Sequence, residues 1–298
     1  MEQYIRLSHS ALASFLTCER MFQLDRLLEG APEKRDYPAT VFGKAFGAGV
    51  AEYMLTQDKE IALFKAYLAY TPVLEDDKRT EEILINMLLV AFPKLDTLLL
   101  DYEVAVFEGK PAIELSFRLN CTPTIFFVGY VDMILRNKWT GVYAIVENKS
   151  TGMNLLDLDP LFKNSGQALG YSIILDRIAG KEKSAYEVIY PIGQLNSKSN
   201  GGFSPNFIIK TFNKTLKDRL NWFITLKMDI QRLEQMQALS VFPMRGNNCL
   251  QYMRPCKHFG TCGMQGLDKP KELPPDLTEY QFTYSLDELV AEYLERME

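Results

Sequence analysis

Phe127-Val128-Gly129-Tyr130-Val131-Asp132-Met133-Ile134-Leu135, a polar stretch from Asn137 to Gly141, and then Ala144-Ile145-Val146-Glu147-Asn148-Lys149-Ser150: the fold turns on how this piece of chain is read. The first run is apolar enough for a strand buried on both faces. Asn137 to Gly141 has turn composition, so the second run is expected to return beside the first. Asp132 then comes back against Glu147, fifteen residues later. Side chains alternate along a strand, so Glu147 and Lys149 share a face.

Two carboxylates converging in this way can hold a hard divalent cation, Mg2+ or Mn2+, through oxygen, with the backbone carbonyl of Asn148 as a third ligand. Positions on the ion stay open for water and a phosphate oxygen, and a lysine beside it can orient the attacking water or meet developing negative charge. In-line attack on a phosphodiester is the reaction this set suits. The competing structural account is a buried Glu147–Lys149 ion pair with Asp132 capping a turn.

Upstream, Leu12, Phe15, Leu16, Phe22 and Leu24 recur at near-helical spacing from Ser8 to about Glu29, and one amphipathic helix is expected there. A second begins near Val41, where Gly43 and Gly47 stand one turn apart, a spacing that suggests close helix packing. Residues from about 59 to 100 read as helix, broken at Pro72 and Pro93. After Leu100, DYEVAVF, PAIELSFRL, TIFFVGYVDMIL and VYAIVENKS read as a four-strand meander. Then come a helix from about Pro160 to Gly180, a strand at Ser184 to Ile192, a polar loop across Asn196 to Gly202 and a strand near Phe207 to Phe212. A long helix from about Lys214 to Leu239, an irregular cysteine-bearing segment, and a short helix announced by Ser285 and Glu288 at capping-box spacing complete the chain. The sum is an α/β fold with a mixed sheet flanked by helices. It is expected to be a single domain over 1–298: a helical part over 1–100, a catalytic sheet core over 101–212, a long helix and cysteine segment over 213–266, and an acidic tail over 267–298.

The 298 residues are 47% hydrophobic, which argues against disorder. The start, MEQYIRLSHS, has no basic segment leading into an apolar run, and the longest apolar stretch, Leu84 to Phe92 apart from Asn86, is short for a bilayer. A cytoplasmic protein without a membrane partner is expected. The net charge of −5 argues against a nucleic-acid partner on average, but residues 181–257 hold 12 basic and 5 acidic side chains, and 268–298 hold 3 and 9. The basic region could hold a phosphate backbone, or the charges could solvate separate faces.

Of five cysteines, Cys249, Cys256 and Cys262 fall within fourteen residues, in a stretch too irregular for a packed strand. A metal is the natural explanation in a reducing compartment. A fourth ligand from Cys18 would make an iron–sulfur site, and one from His258 a Zn2+ site. Cys121 has no partner in this pattern and reads as an ordinary small apolar residue.

Gly129-Tyr130-Val131-Asp132 followed by Glu147-Asn148-Lys149-Ser150-Thr151 resembles the PD-(D/E)XK nucleases in their RecB-like exonuclease branch. Gln167 and Tyr171 match that branch's Q-x-x-x-Y helix, and the resemblance implies that they position the DNA strand or Lys149. Glu114 matches a glutamate of the preceding strand, which implies an auxiliary metal ligand or a supporting residue; a solvated strand face is the alternative. Leu12, Phe15 and Cys18 match the early Leu-x-x-Phe-x-x-Cys context of a subgroup that includes the CRISPR adaptation nucleases and AddB-type subunits. This implies a four-iron, four-sulfur cluster on Cys18, Cys249, Cys256 and Cys262, stapling segments roughly 230 residues apart. The chain departs from the pattern at Gly47, where many members carry a metal-binding histidine. Phage-encoded relatives often lack it too, so a phage-type enzyme working in the host cytoplasm fits the resemblance. What the resemblance implies is a metal-dependent DNA exonuclease with a restriction-endonuclease-like core, acting on single strands or duplex ends, with a helicase or recombinase as a possible partner. A catalytically weak DNA-binding or recombination accessory protein on the same fold is the alternative.

Overall fold

The computed structural model describes residues 3–29, 37–71, 78–153, 158–180, 186–197, 202–251, 254–263 and 268–297. In chain order the elements are β1 (Ile5–Leu7), α1 (His9–Thr17), α2 (Glu19–Arg26), α3 (Pro38–Thr56), α4 (Lys59–Ala69), α5 (Glu81–Asp101), β2 (Tyr102–Val104), β3 (Val106–Phe107), β4 (Lys110–Pro111), β5 (Ile113–Asn120), β6 (Ile125–Asn137), β7 (Tyr143–Val146) and β8 (Lys149–Thr151), then α6 (Asp159–Lys163), α7 (Gly166–Ala179), β9 (Tyr186–Ser197), β10 (Phe203–Lys214), α8 (Leu216–Leu239), β11 (Leu250–Gln251), β12 (Arg254–Pro255), β13 (Phe282–Ser285) and α9 (Leu286–Glu295). The main sheet is mixed and runs β10-β9-β7-β6-β5-β13, with β1 and β2 on β6 and β8 on β9.

The chain forms two compact units. One comprises Met1–Lys34, Ser116–Gly129 and Leu220–Glu298; the other comprises Arg35–Leu115 and Tyr130–Arg219. In the second unit β6 and β7 are antiparallel, β7 and β9 parallel, and β9 and β10 a long antiparallel hairpin. Helices α3 and α5 close its core, where Phe42, Phe46, Val50, Leu84, Leu88, Phe92 and Leu95 pack with Met133, Leu135, Val146 and Ile189 of the sheet. Burying about 25 cal/mol per Å2 of apolar surface makes such a cluster the main stabilising term of the unit. In the first unit β1 pairs in parallel with the start of β6, and β13 in parallel with the end of β5.

Several expectations are corrected. The single helix from Ser8 breaks at Cys18, whose extended backbone (φ −161°, ψ 114°) ends α1 and opens α2. Three of the four buried residues of α2, Glu19, Arg20 and Gln23, are polar and share its buried face with Phe22, and Glu19 is fully buried against Arg232 and Arg245, so apolar periodicity does not carry cleanly through the break. Pro93 lies inside α5 rather than ending it. It sits on the exposed side, where the carbonyl of the equally exposed Leu89, which loses its N–H partner, can reach water. Pro72 lies outside the described residues. Helix α5 is long and apolar enough to cross a bilayer by composition, contrary to the reading of its apolar run as too short; here Leu84, Met87, Leu88, Ala91, Phe92, Leu95 and Leu99 are core residues.

The four-strand meander is only partly realised: β2 pairs with β6, and β3 and β4 form a ribbon of their own. The expected helix from Pro160 is split at Asn164 and Ser165, which starts α7 afresh at Gly166 and puts Gln167 in its first turn. Ser184 lies outside the described residues, as do 198–201 of the expected polar loop. The strands take up more of that loop than its polarity suggests, with Ser197 paired to Phe203. Within the acidic tail α9 starts at the expected Ser285 cap, and Phe282, Leu286, Leu289 and Tyr293 are buried. The Gly43 and Gly47 face does not meet another helix. A Cβ at Gly43 would lie 3.4 Å from Ser150 Oγ, and one at Gly47 would lie 3.6 Å from Asn148 Cβ, so α3 packs its small residues on the Glu147–Ser150 segment.

Candidate active site

Strands β6 and β7 stay in register up to Met133 and Val146, and one further step brings Asp132 level with Glu147. There the ladder opens. Glu147 keeps its bond to β9, its N–H donating to the Ile189 carbonyl at 3.0 Å, and Lys149 pairs with Ile192. On the β6 side the place of a backbone acceptor is taken by Asp132. Its Oδ2 accepts from the Asn148 N–H at 2.9 Å and from Asn148 Nδ2 at 3.3 Å.

Glu147 is only 4% exposed. Its Oε1 accepts from Lys149 Nζ at 2.6 Å and from Gln167 Nε2 at 2.7 Å. Gln167 Oε1 accepts from the same ammonium at 3.0 Å, and its Nε2 also donates to the Tyr171 hydroxyl at 2.8 Å. Gln167 and Tyr171, one turn apart on one face of α7, thus join Glu147 and Lys149 in one network. Both features of the competing structural account are present too: the Glu147–Lys149 ion pair and the capping role of Asp132.

What that account leaves unexplained is the unused oxygens. Glu147 Oε2 and Asn148 Oδ1 are buried without a hydrogen-bond partner, and the described bonds of Asp132 all fall on Oδ2. A buried carboxylate oxygen left unpaired is costly. Burial, then repulsion from Asp132, pushes the Glu147 carboxyl up to about 7 against the opposing pull of Lys149. Burial raises Asp132 as well, partly offset by its bonds from Asn148.

Glu114 belongs to the same electrostatic group. The Ala112 carbonyl accepts from the Ile134 N–H at 2.9 Å, and continuing that antiparallel register puts Glu114 abreast of Asp132. Its carboxyl is raised by partial burial and then by Asp132, although the residue keeps solvent exposure. Its backbone is left-handed, with φ +52°, a conformation that costs a residue with a Cβ free energy and is concentrated at functional sites. Sequence reasoning could not see that strain. Among the described residues no group of three or more His, Cys, Asp or Glu side chains stands gathered to hold a metal ion. The three carboxylates are neighbours rather than a closed cage, and a free oxygen on each of Asp132 and Glu147 is the feature that suits a hard cation.

The sequence profile of the PD-(D/E)XK nuclease superfamily matches residues 6–263. The chain belongs to the PD-(D/E)XK nuclease superfamily. A solved structure named "Putative exonuclease" from Eubacterium rectale is similar at 14% identity and a TM-score of 0.46, over 83% of this chain and 86% of that one, and carries no further weight. Comparison with curated proteins gave no match.

In this nuclease the cysteine segment is fastened to α2 by charge. Arg245 clasps Glu19 through two bonds of 2.7 Å, Arg20 does the same to Asp268 at 2.8 and 3.0 Å, and Arg20 Nε donates to the Cys262 carbonyl at 3.2 Å. The Cys256 N–H donates to the Cys249 carbonyl at 2.8 Å. The Cys262 thiol is raised by burial, and Cys18 and Cys256 are near enough to add to that. His258 is engaged elsewhere, its Nε2 lying 2.7 Å from Asp25 Oδ1. Among the described residues the cysteines do not stand gathered into a metal-binding group, with or without His258. Cys121 is half-buried, with its thiol pushed up to about 12 chiefly by burial, in keeping with an inert residue.

Proposed function

We propose that the protein is a metal-dependent DNA nuclease, an exonuclease or end-processing enzyme acting on single strands or duplex ends. The observation that carries this is the division of labour between oxygens: Asp132 Oδ2 and Glu147 Oε1 are tied to the protein, whereas Glu147 Oε2 is buried with nothing to bind. Asp132, Glu147 and the Asn148 carbonyl, with Glu114 as auxiliary, would hold Mg2+ or Mn2+. A cation bound there supplies a water of lowered pKa and neutralises charge at the phosphate. Lys149 meets the charge that develops on the phosphate or orients the attacking water. Gln167 and Tyr171 fix the Lys149 ammonium and steer the strand.

We further place a four-iron, four-sulfur cluster on Cys18, Cys249, Cys256 and Cys262. Its contribution is to cross-link segments far apart in sequence, and electron transfer has no part in the proposed chemistry.

End-labelled single- and double-stranded DNA should be cut by anaerobically purified protein with Mn2+, and Lys149→Ala should cut at least about 100-fold more slowly. Mononucleotide products would identify an exonuclease. Intact DNA with both proteins, still bound, would favour the accessory-protein alternative and defeat the enzymatic one.

A further inference from the structure

Strand β6 is buried residue by residue from Ile125 to Leu135, with two exceptions, Tyr130 and Asp132. These are two apart and so point to the same side of the sheet, about 6.6 Å from each other at the usual rise. Along β6 the burial is therefore relieved here, where the candidate cation-binding carboxylate has an aromatic ring for a neighbour. Tyr130 is 40% exposed.

A strand whose phosphate lies between Asp132 and Glu147 carries its adjoining nucleoside within reach of that ring. Each nucleobase has a π face, so stacking on a tyrosine is tolerant of sequence but needs a base free of its own stack. From this we infer that Tyr130 is a stacking platform for an unpaired base next to the scissile phosphate, which makes it a determinant of preference for single-stranded ends. The inference rests on the nuclease proposal above and adds the form of the substrate. The phenol hydroxyl has no part in stacking, so phenylalanine should serve equally well.

The full-length protein, without added divalent metal, is titrated into oligonucleotides with 2-aminopurine at or next to the end, single-stranded or in a blunt duplex. The wild type and Tyr130→Phe should bind the single strand and quench the probe. Tyr130→Leu and Tyr130→Thr should lose the quench and bind the single strand about 5- to 150-fold more weakly, with duplex affinity changed less than about twofold. The position is exposed, so the variants should fold, and melting curves check this; two non-aromatic replacements guard against a flaw peculiar to one. Quenching and affinity unchanged in both would overturn the stacking role alone, provided the wild type binds and cuts DNA. A wild type that binds no nucleic acid in any form would overturn this inference together with the proposal it rests on.

Discussion

Replacing Glu147 with glutamine removes one charge and keeps the shape, and the consequence for stability can be worked out. Burial and the proximity of Asp132 lift the Glu147 carboxyl from its ordinary 4.5 to about 7, which corresponds to about 3 kcal/mol against the charged form in the folded protein. The sign follows from proton counts. Between pH 4.5 and about 7 the folded state keeps a proton that the unfolded state has lost, so stability falls as pH rises through this window and is flat above it. Urea denaturation in the presence of a chelator, at pH 5, 6, 7 and 8, should show the wild type losing about 3 kcal/mol relative to Glu147→Gln. Added Mn2+ should restore the wild type at pH 8 and leave the variant unmoved, because only the carboxylate has an oxygen charged and waiting. Parallel pH profiles for the two proteins, or equal stabilisation by Mn2+, would refute the claim that Glu147 is an uncompensated buried acid reserved for a cation.

Other sites yield shorter expectations. Glu114→Gly relieves the left-handed backbone at φ +52° and should raise stability by about 1 kcal/mol while weakening Mn2+ binding measured by calorimetry; a loss of stability would mean that the conformation is not strained. Alanine at Gly47 meets only ordinary contact with Asn148 and should gain up to about 1 kcal/mol from helix propensity. At Gly49 the same change puts a Cβ 2.8 Å from Leu88 and 3.0 Å from Ala66, and should cost about 1–3 kcal/mol by thermal melting. Elemental analysis should find bound iron sharply reduced in Cys18→Ala and retained in His258→Ala; the reverse order, with zinc in place of iron, would move the fourth ligand to His258.

The strands of the candidate site were legible because two signals agree there. The apolar run around Asp132 and the turn after Leu135 set a hairpin, and a period of two then fixes which side chains face each other, so the register of Asp132 and Glu147 followed from spacing alone. Gln167 and Tyr171 came from a motif, and the network with Lys149 agrees with it. Elsewhere the information is carried by tertiary contacts. The break at Cys18 exists because Glu19 and Arg20 are drawn inward to Arg245 and Asp268, partners more than 200 residues away in sequence. Pro93 reads as a helix breaker until one knows that its side of α5 is wet. The polarity of 268–297 conceals four buried side chains spaced for a strand and a helix. The backbone strain at Glu114 leaves no trace in a residue name.

The opening of the ladder beyond Met133 gives the molecule a built-in gauge. Asn148 donates its amide proton to Asp132 Oδ2, an atom of a carboxylate whose charge a cation would draw away. The chemical shift and exchange rate of that one amide will therefore track protonation of the carboxylates and arrival of a metal, with no nucleic acid in the tube. The same bond sets a rule for choosing inactive variants. Asp132→Ala would strand the Asn148 N–H as well as remove a charge, whereas Asp132→Asn can still accept from it, so a difference between the two separates the chemistry of the carboxylate from its part in holding the sheet open.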